Sequence, residues 1–153
     1  MRCDSALVGV LVAHDHRRLI AIRPVAVGTH LFAITGRETS IPTRYSLQVG
    51  PSLHLDQDCA RDESDLVKRY FWRYLDHHCD PSTVIRDRKV VAIRDIAEGE
   101  GVTFDYNTTE YEMAEPFQCH CESARCVGMV RGARHLTRAQ RSRLARWLPD
   151  YLR

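Results

Sequence analysis

The sequence predicts one β-rich α+β domain that closes with a cysteine-rich tail and a final helix. Short apolar, β-branched runs recur through the first third and are cut off by glycine or proline, the pattern of several short strands. Helical periodicity is confined to one segment in the middle and one near the end. Three of the six cysteines fall within residues 119–126, a density that asks for a metal.

Length and composition agree with this class. A chain of 153 residues is one ordinary domain, and a domain of that size buries roughly 68–70% of its unfolded surface. No apolar run approaches the roughly 18 residues of a membrane span. The opening MRCDSALVGVLVAHDH carries one arginine and a glycine-broken apolar run, followed at once by acid and histidine. It reads as a first strand rather than a signal peptide. The expected setting is intracellular, cytoplasmic or nuclear, with no membrane partner and the cysteines unpaired.

Taken in order, strands are expected over residues 6–13, 19–22, 31–35 and 44–49. The third follows a turn at Gly28 and the fourth stops at Gly50–Pro51. Ser64, between Glu63 and Asp65, opens a helix over 65–75 whose apolar stripe is Leu66, Tyr70, Phe71 and Tyr74. Asp80–Pro81 ends that region. Strands over 90–93 and 102–106 flank a turn at 99–101. Thr137 is the expected N-cap of a last helix over 138–147, stopped by Pro149.

Cys119, Cys121 and Cys126 form C-x-C-x4-C. Zinc takes such thiolates in a tetrahedron at about 2.3 Å, and a closed structural site needs a fourth ligand. Cys79, His120, Cys3 and Cys59 are the candidates, and His120 is awkwardly wedged between two proposed ligands. Asp76-His77-His78-Cys79 also spells the tetrad of protein palmitoyltransferases, but those are integral membrane proteins and this chain shows no span.

Residues 73–81 (RYLDHHCDP), 99–107 (GEGVTFDYN) and 117–121 (FQCHC) follow one another in order. Together they resemble the signature of SET-domain protein-lysine methyltransferases: R-F-[IL]-N-H-S-C-x-P, then G-E-E-[IL]-x-x-D-Y, then a post-SET cysteine tail. Residues 22–36 resemble the earlier A-x-[RK]-x-I-x-x-G-x-x-[IL] stretch, and 44–49 the strand after it, so the likeness covers roughly residues 6–128. It implies several small sheets with a pseudoknot, in which the 76–79 segment lies beside the 102–106 strand. Cys79 then becomes the fourth zinc ligand with Cys119, Cys121 and Cys126. The implied division is a SET domain over 1–116, a post-SET zinc tail over 117–128 and a helical extension over 129–153.

The resemblance further implies methyl transfer from S-adenosylmethionine to the ε-amine of a lysine in a protein or peptide, with histone tails as usual targets. Tyr106 and Tyr45 match the catalytic aromatics. Phe104 and Phe117 match the lysine channel, and phenylalanine at 104 implies room for more than one methyl group. Arg73, Asp76, His77, Tyr45, Tyr106 and His120 fall on the cofactor wall. Two departures stand out. Asp76 replaces an asparagine, exchanging a group that donates and accepts for one that only accepts. His16-Arg17-Arg18 replaces a G-x-G beside the cofactor, where Arg17 or Arg18 is suited to grip its carboxylate. Ile34 stands where an aromatic is frequent. These losses define the alternative, an inactive SET-like interaction module with zinc. A third reading uses Arg131, Arg134, Arg138, Arg141, Arg143, Arg146 and Arg153 as a nucleic-acid stripe. Against it, Leu136, Leu144, Trp147 and Leu148 make the helix amphipathic, so nucleic acid is not expected as the substrate. The oligomeric state stays open.

Overall fold

The structure, a computed structural model, describes residues 6–153. Strands β1 (Val8–Ala13) and β2 (His16–Ala21) form an antiparallel hairpin that pairs Val8 with Ala21 and Ala13 with His16. β2 starts three residues earlier than the apolar run alone implies, because the ladder continues to the turn at His14–Asp15. His16, Arg17 and Arg18 are therefore strand residues. Strands β3 (His30–Ala33), β4 (Arg37–Thr39), β5 (Leu47–Gly50) and β6 (Leu53–Asp56) follow. β4, β6 and β5 make one three-stranded sheet in that order. Gly36 allows it, since a Cβ there would lie 2.3 Å from the Asp56 carbonyl oxygen.

Helix α1 (Glu63–Arg69) is capped by Asp62, whose carboxylate accepts the Asp65 N–H at 2.8 Å, rather than by Ser64. The expected single helix to residue 75 breaks at Tyr70 and becomes a 3-10 turn, Phe71–Tyr74. An α-helix splays consecutive residues by about 100°, so it would not bury Tyr70, Phe71 and Trp72 together. The break does, and the Trp72 indole N–H donates to the Thr35 carbonyl at 2.9 Å.

β7 (Asp76–His77) is followed by β8 (Thr83–Arg86), β9 (Lys89–Ala92) and β10 (Thr103–Phe104). β3, β9 and β8 form the second three-stranded sheet. β7 lies parallel to β10, pairing Asp76 with Thr103 and His77 with Phe104. This is the juxtaposition the resemblance implies. β10 is shorter than expected: the Asp105 carboxylate accepts the Asn107 N–H at 3.0 Å and starts a 3-10 turn, Tyr106–Thr108. Leu19, Leu55, Val90, Ile96 and Val102 are the fully buried centre of the main core.

The tail adds a small hairpin, β11 (Phe117–Gln118) with β12 (Met129–Val130). Helix α2 (Arg138–Leu144) carries the expected Thr137 cap, completed as a capping box by Gln140. It stops before residue 147, where the Leu144 carbonyl accepts the N–H of both Trp147 and Leu148. Ala133, Leu144, Leu148 and Leu152 form a separate small core. The Tyr151 hydroxyl ties it to the main body, 3.0 Å from the carbonyls of both Gln48 and Thr109. No helix among the described residues is long and apolar enough to cross a membrane.

Candidate active site and metal centre

One cavity of about 960 Å³ is walled by the start of β2, the turn before β5, β7, β10 and the tail. Arg17, Arg18, Tyr45, Arg73, Asp76, His77, Phe104, Tyr106, Phe117 and His120 all line it. Tyr106 is its aromatic hub. Its ring lies 4.7 Å from Phe104, 5.3 Å from His77 and 5.8 Å from Phe117, centre to centre. Its hydroxyl donates to the Leu75 carbonyl at 2.7 Å. Burial pushes the phenol well above its ordinary pKa, so the group stays a protonated donor.

Tyr45 is not on a strand, as the alternation of residues 44–49 implies. It belongs to the 43–46 turn, is half exposed, and lies under the Arg73 guanidinium at 4.1 Å. The turn forms because the Thr43 hydroxyl accepts the N–H groups of Tyr45 and Ser46. Arg73 Nε is buried without a hydrogen-bond partner among the described residues. Ile34 is a core residue, 2% exposed, and takes no part in the cavity.

The two departures from the family pattern meet in space. His16 Nε2 lies 3.5 Å from Asp76 Oδ2. Burial raises the Asp76 carboxyl above the usual range, opposed by His16 and then Arg18. Arg17 turns to Glu63 on α1, which leaves Arg18 exposed on the cavity wall.

Cys79, Cys119, Cys121 and Cys126 bring four sulfurs within 4.8 Å of one another. The Cys79 and Cys119 sulfurs are 3.9 Å apart, close to the roughly 3.8 Å edge of a tetrahedral zinc–thiolate site. The tail hairpin makes this possible by turning the three cysteines inward, with the Cys119 N–H donating to Gly128 at 2.6 Å. Cys59 and His120 are exposed and outside the group, and Cys3 lies outside the described residues. Burial pushes the Cys79 and Cys119 thiols up, Cys119 to about 11. A soft dication is what would let these sulfurs ionise, so the donor set fits zinc.

His77 joins the two centres. Its Nδ1 accepts the Tyr106 N–H at 3.1 Å, which places the ring proton on Nε2, 3.2 Å from the Cys79 sulfur. Burial lowers the imidazole to about 4 and keeps it neutral. Residues the sequence does not single out complete the wall, notably Leu47, Met113 and Glu110. No local pattern marks them.

The arginines of the tail and α2 are largely occupied within the fold. Arg141 donates to Leu152 and Ala133, Arg143 to Arg125, and Arg134 pairs with Glu112. Arg86 and Arg146 lie over the Trp147 ring at 5.2 and 4.3 Å. This is how an amphipathic helix secures its cations, and it leaves Arg138 and Arg131 as the members of the proposed stripe whose side chains have no partner among the described residues.

The sequence model of the SET domain matches residues 10–107, and the chain belongs to that family. It is 32% identical over 123 residues to "Methyltransferase flvH" of Aspergillus flavus, covering 75% of this chain and 62% of that protein. It is 34% identical over 74 residues to "Histone-lysine N-methyltransferase, H3 lysine-36 specific" of Saccharomyces cerevisiae, covering 43% of this chain and 10% of that protein. It thus spans less than two thirds of either relative. The fold is shared with KRYPTONITE, solved in complex with mCHH DNA, H3(1-15) peptide and SAH. There the TM-score is 0.58 at 17% identity, over 80% of this chain and 29% of that one.

Proposed function

We propose that the protein transfers a methyl group from S-adenosylmethionine to the ε-amine of a lysine presented by a protein or peptide, a histone tail being the first to test. The observation that carries this is the single cavity in which Tyr106, Phe104 and Phe117 meet the polar wall of Asp76, Arg73 and Arg18. The cofactor, when bound, supplies an electrophilic methyl group on a sulfonium. The residues here bind and align. Asp76 suits the cofactor's ammonium, and Arg18 its carboxylate. His16 holds Asp76 in place, so one departure compensates the other. Arg73, His77 and His120 complete the cofactor wall, with Arg17 behind them.

On the substrate side, Phe104, Phe117, Tyr45 and Tyr106 suit the stem and cationic head of lysine. A low-dielectric channel favours the neutral amine that must attack. The Tyr106 hydroxyl and the Leu75 carbonyl form the polar point that orients it. Phenylalanine at 104 leaves space for a second and third methyl. Cys79, Cys119, Cys121 and Cys126 hold one zinc ion, which fastens the 117–128 tail over the cavity. Residues 1–116 form the catalytic body and 129–153 a helical extension. An intracellular setting, nuclear or cytoplasmic, accords with such a substrate.

The test is calorimetric titration of S-adenosylmethionine into zinc-loaded protein, followed by methylation of core histones and lysine peptides. Saturable 1:1 binding and turnover that Tyr106→Phe removes would support the reading. No binding up to about millimolar, or about −4 kcal/mol, would leave an inactive SET-like module.

A further inference from the structure

Glu110 is not part of the family signature quoted above, yet it lines the same cavity as Tyr106 and Phe117. Its side chain is only 10% exposed. One oxygen, Oε1, accepts the Gln48 N–H at 2.8 Å and the Thr109 hydroxyl at 3.3 Å. The other, Oε2, has no hydrogen-bond partner among the described residues, and its nearest ionisable neighbour is His54 Nε2 at 3.9 Å. No lysine or arginine among the described residues pairs with it. Burying a carboxylate without a cation is unfavourable, so this wall has a charge vacancy that an incoming cation would fill.

We propose that Glu110 is the acidic residue that receives the substrate's cationic amine and takes its proton. This rests on the lysine-methyltransferase reading above. The ammonium N–H bond breaks as its proton passes to Glu110 Oε2, leaving a neutral amine. The amine lone pair then forms the new N–C bond as the methyl C–S bond breaks, and that electron pair stays on sulfur. The product ammonium leaves and Glu110 returns its proton to solvent.

The surroundings suit this role. The ionisable groups that face Glu110 are His54 from β6, Tyr106 after β10, and Tyr151 from the C-terminal turn. Burial lowers His54 and raises both tyrosines, so all three are neutral near pH 7. Burial also lifts Glu110 itself to about 7, against the hydrogen bonds from Gln48 and Thr109. A group poised there can accept and release a proton under working conditions.

The experiment uses n-butylamine as the lysine head group, bound to the zinc-loaded full chain and followed by NMR. Binding at least tenfold weaker to Glu110→Gln than to wild type supports the proposal, and equal binding overturns it. If the variant does not fold, the Glu110 carboxyl signal is titrated in the wild type. A midpoint lowered by one pH unit or more with n-butylamine supports the proposal, and an unmoved midpoint overturns it. Turnover separates the two readings. If wild type methylates no lysine substrate while amine binding depends on Glu110, the reaction assignment fails and the amine site stands. If wild type methylates lysine and Glu110→Gln binds amine and responds to pH as wild type does, the Glu110 role alone fails.

Discussion

Replacing Cys79 by alanine is expected to loosen the metal centre about a hundredfold and to fray the tail. The magnitude follows from the geometry. A structural zinc site is worth about 10–16 kcal/mol in apparent binding free energy, and Cys79 supplies one of four sulfurs. Its share is about 3 kcal/mol, or two decades of affinity. The fold loses stability as well as the ion. Cys79 is buried, its sulfur faces the His77 Nε2–H at 3.2 Å, and it accepts the Val127 N–H at 3.5 Å. Each stranded donor costs about 1–3 kcal/mol if water does not reach it. Because His77 also accepts the Tyr106 N–H, the damage is expected to reach the cavity. Zinc competition against a chromophoric chelator measures affinity, and amide exchange at Cys119 and Val130 measures fraying of the β11–β12 hairpin. Cys59→Ala, on an exposed cysteine outside the cluster, is the control and should change neither. Wild-type zinc affinity in Cys79→Ala, or wild-type protein that takes up no zinc, would refute the reasoning.

Three further outcomes follow from other parts of the structure. If Asp76 grips the cofactor's ammonium, S-adenosylmethionine affinity should weaken on acidification through its raised pKa, and Asp76→Asn should flatten that dependence in calorimetry. Tyr151→Phe should lower stability by about 1 kcal/mol and Tm by about 2–4 °C, by releasing the C-terminal turn from Gln48 and Thr109. Between its ordinary value of 4.5 and about 7, folded Glu110 keeps a proton that the unfolded chain has lost. Its contribution therefore falls as pH rises through that window, by up to about 3 kcal/mol. His77, lowered to about 4, acts with the opposite sign up to 6.5. The stability difference between Glu110→Gln and wild type, followed by urea denaturation from pH 4.5 to 8, isolates Glu110. A constant difference would contradict its burial as a lone acid.

Much of this molecule is written in local pattern. C-x-C-x4-C places three sulfurs within eight residues, so a short hairpin suffices to aim them at one point. Thr137 and Gln140 encode their own capping box three residues apart. Apolar runs located β1, β3 and β9, because β-branched and apolar residues favour the extended chain, even where Leu11 and Val12 of β1 stay exposed. The motifs around Asp76–Cys79 and Phe104–Tyr106 carried the family, and with it Cys79 as the partner of the tail.

What tertiary structure alone decided lies between residues far apart in the chain. β4 and β6 are too short and too polar to stand out. They exist because Arg37–Thr39 and Leu53–Asp56 find each other's backbone across an intervening strand and turn. The helix over 65–75 breaks because three consecutive aromatics must enter one core, a demand of packing that local propensity does not express. His16 and Asp76 each look like a lost family residue in the sequence, and become a pair at 3.5 Å when β2 is laid beside β7 and β10. Glu110 looks like any acid in a loop until the fold buries it without a cation. Spacing encodes which face a side chain takes. Burial, and hence the charge a side chain can keep, depends on what the rest of the chain packs against it.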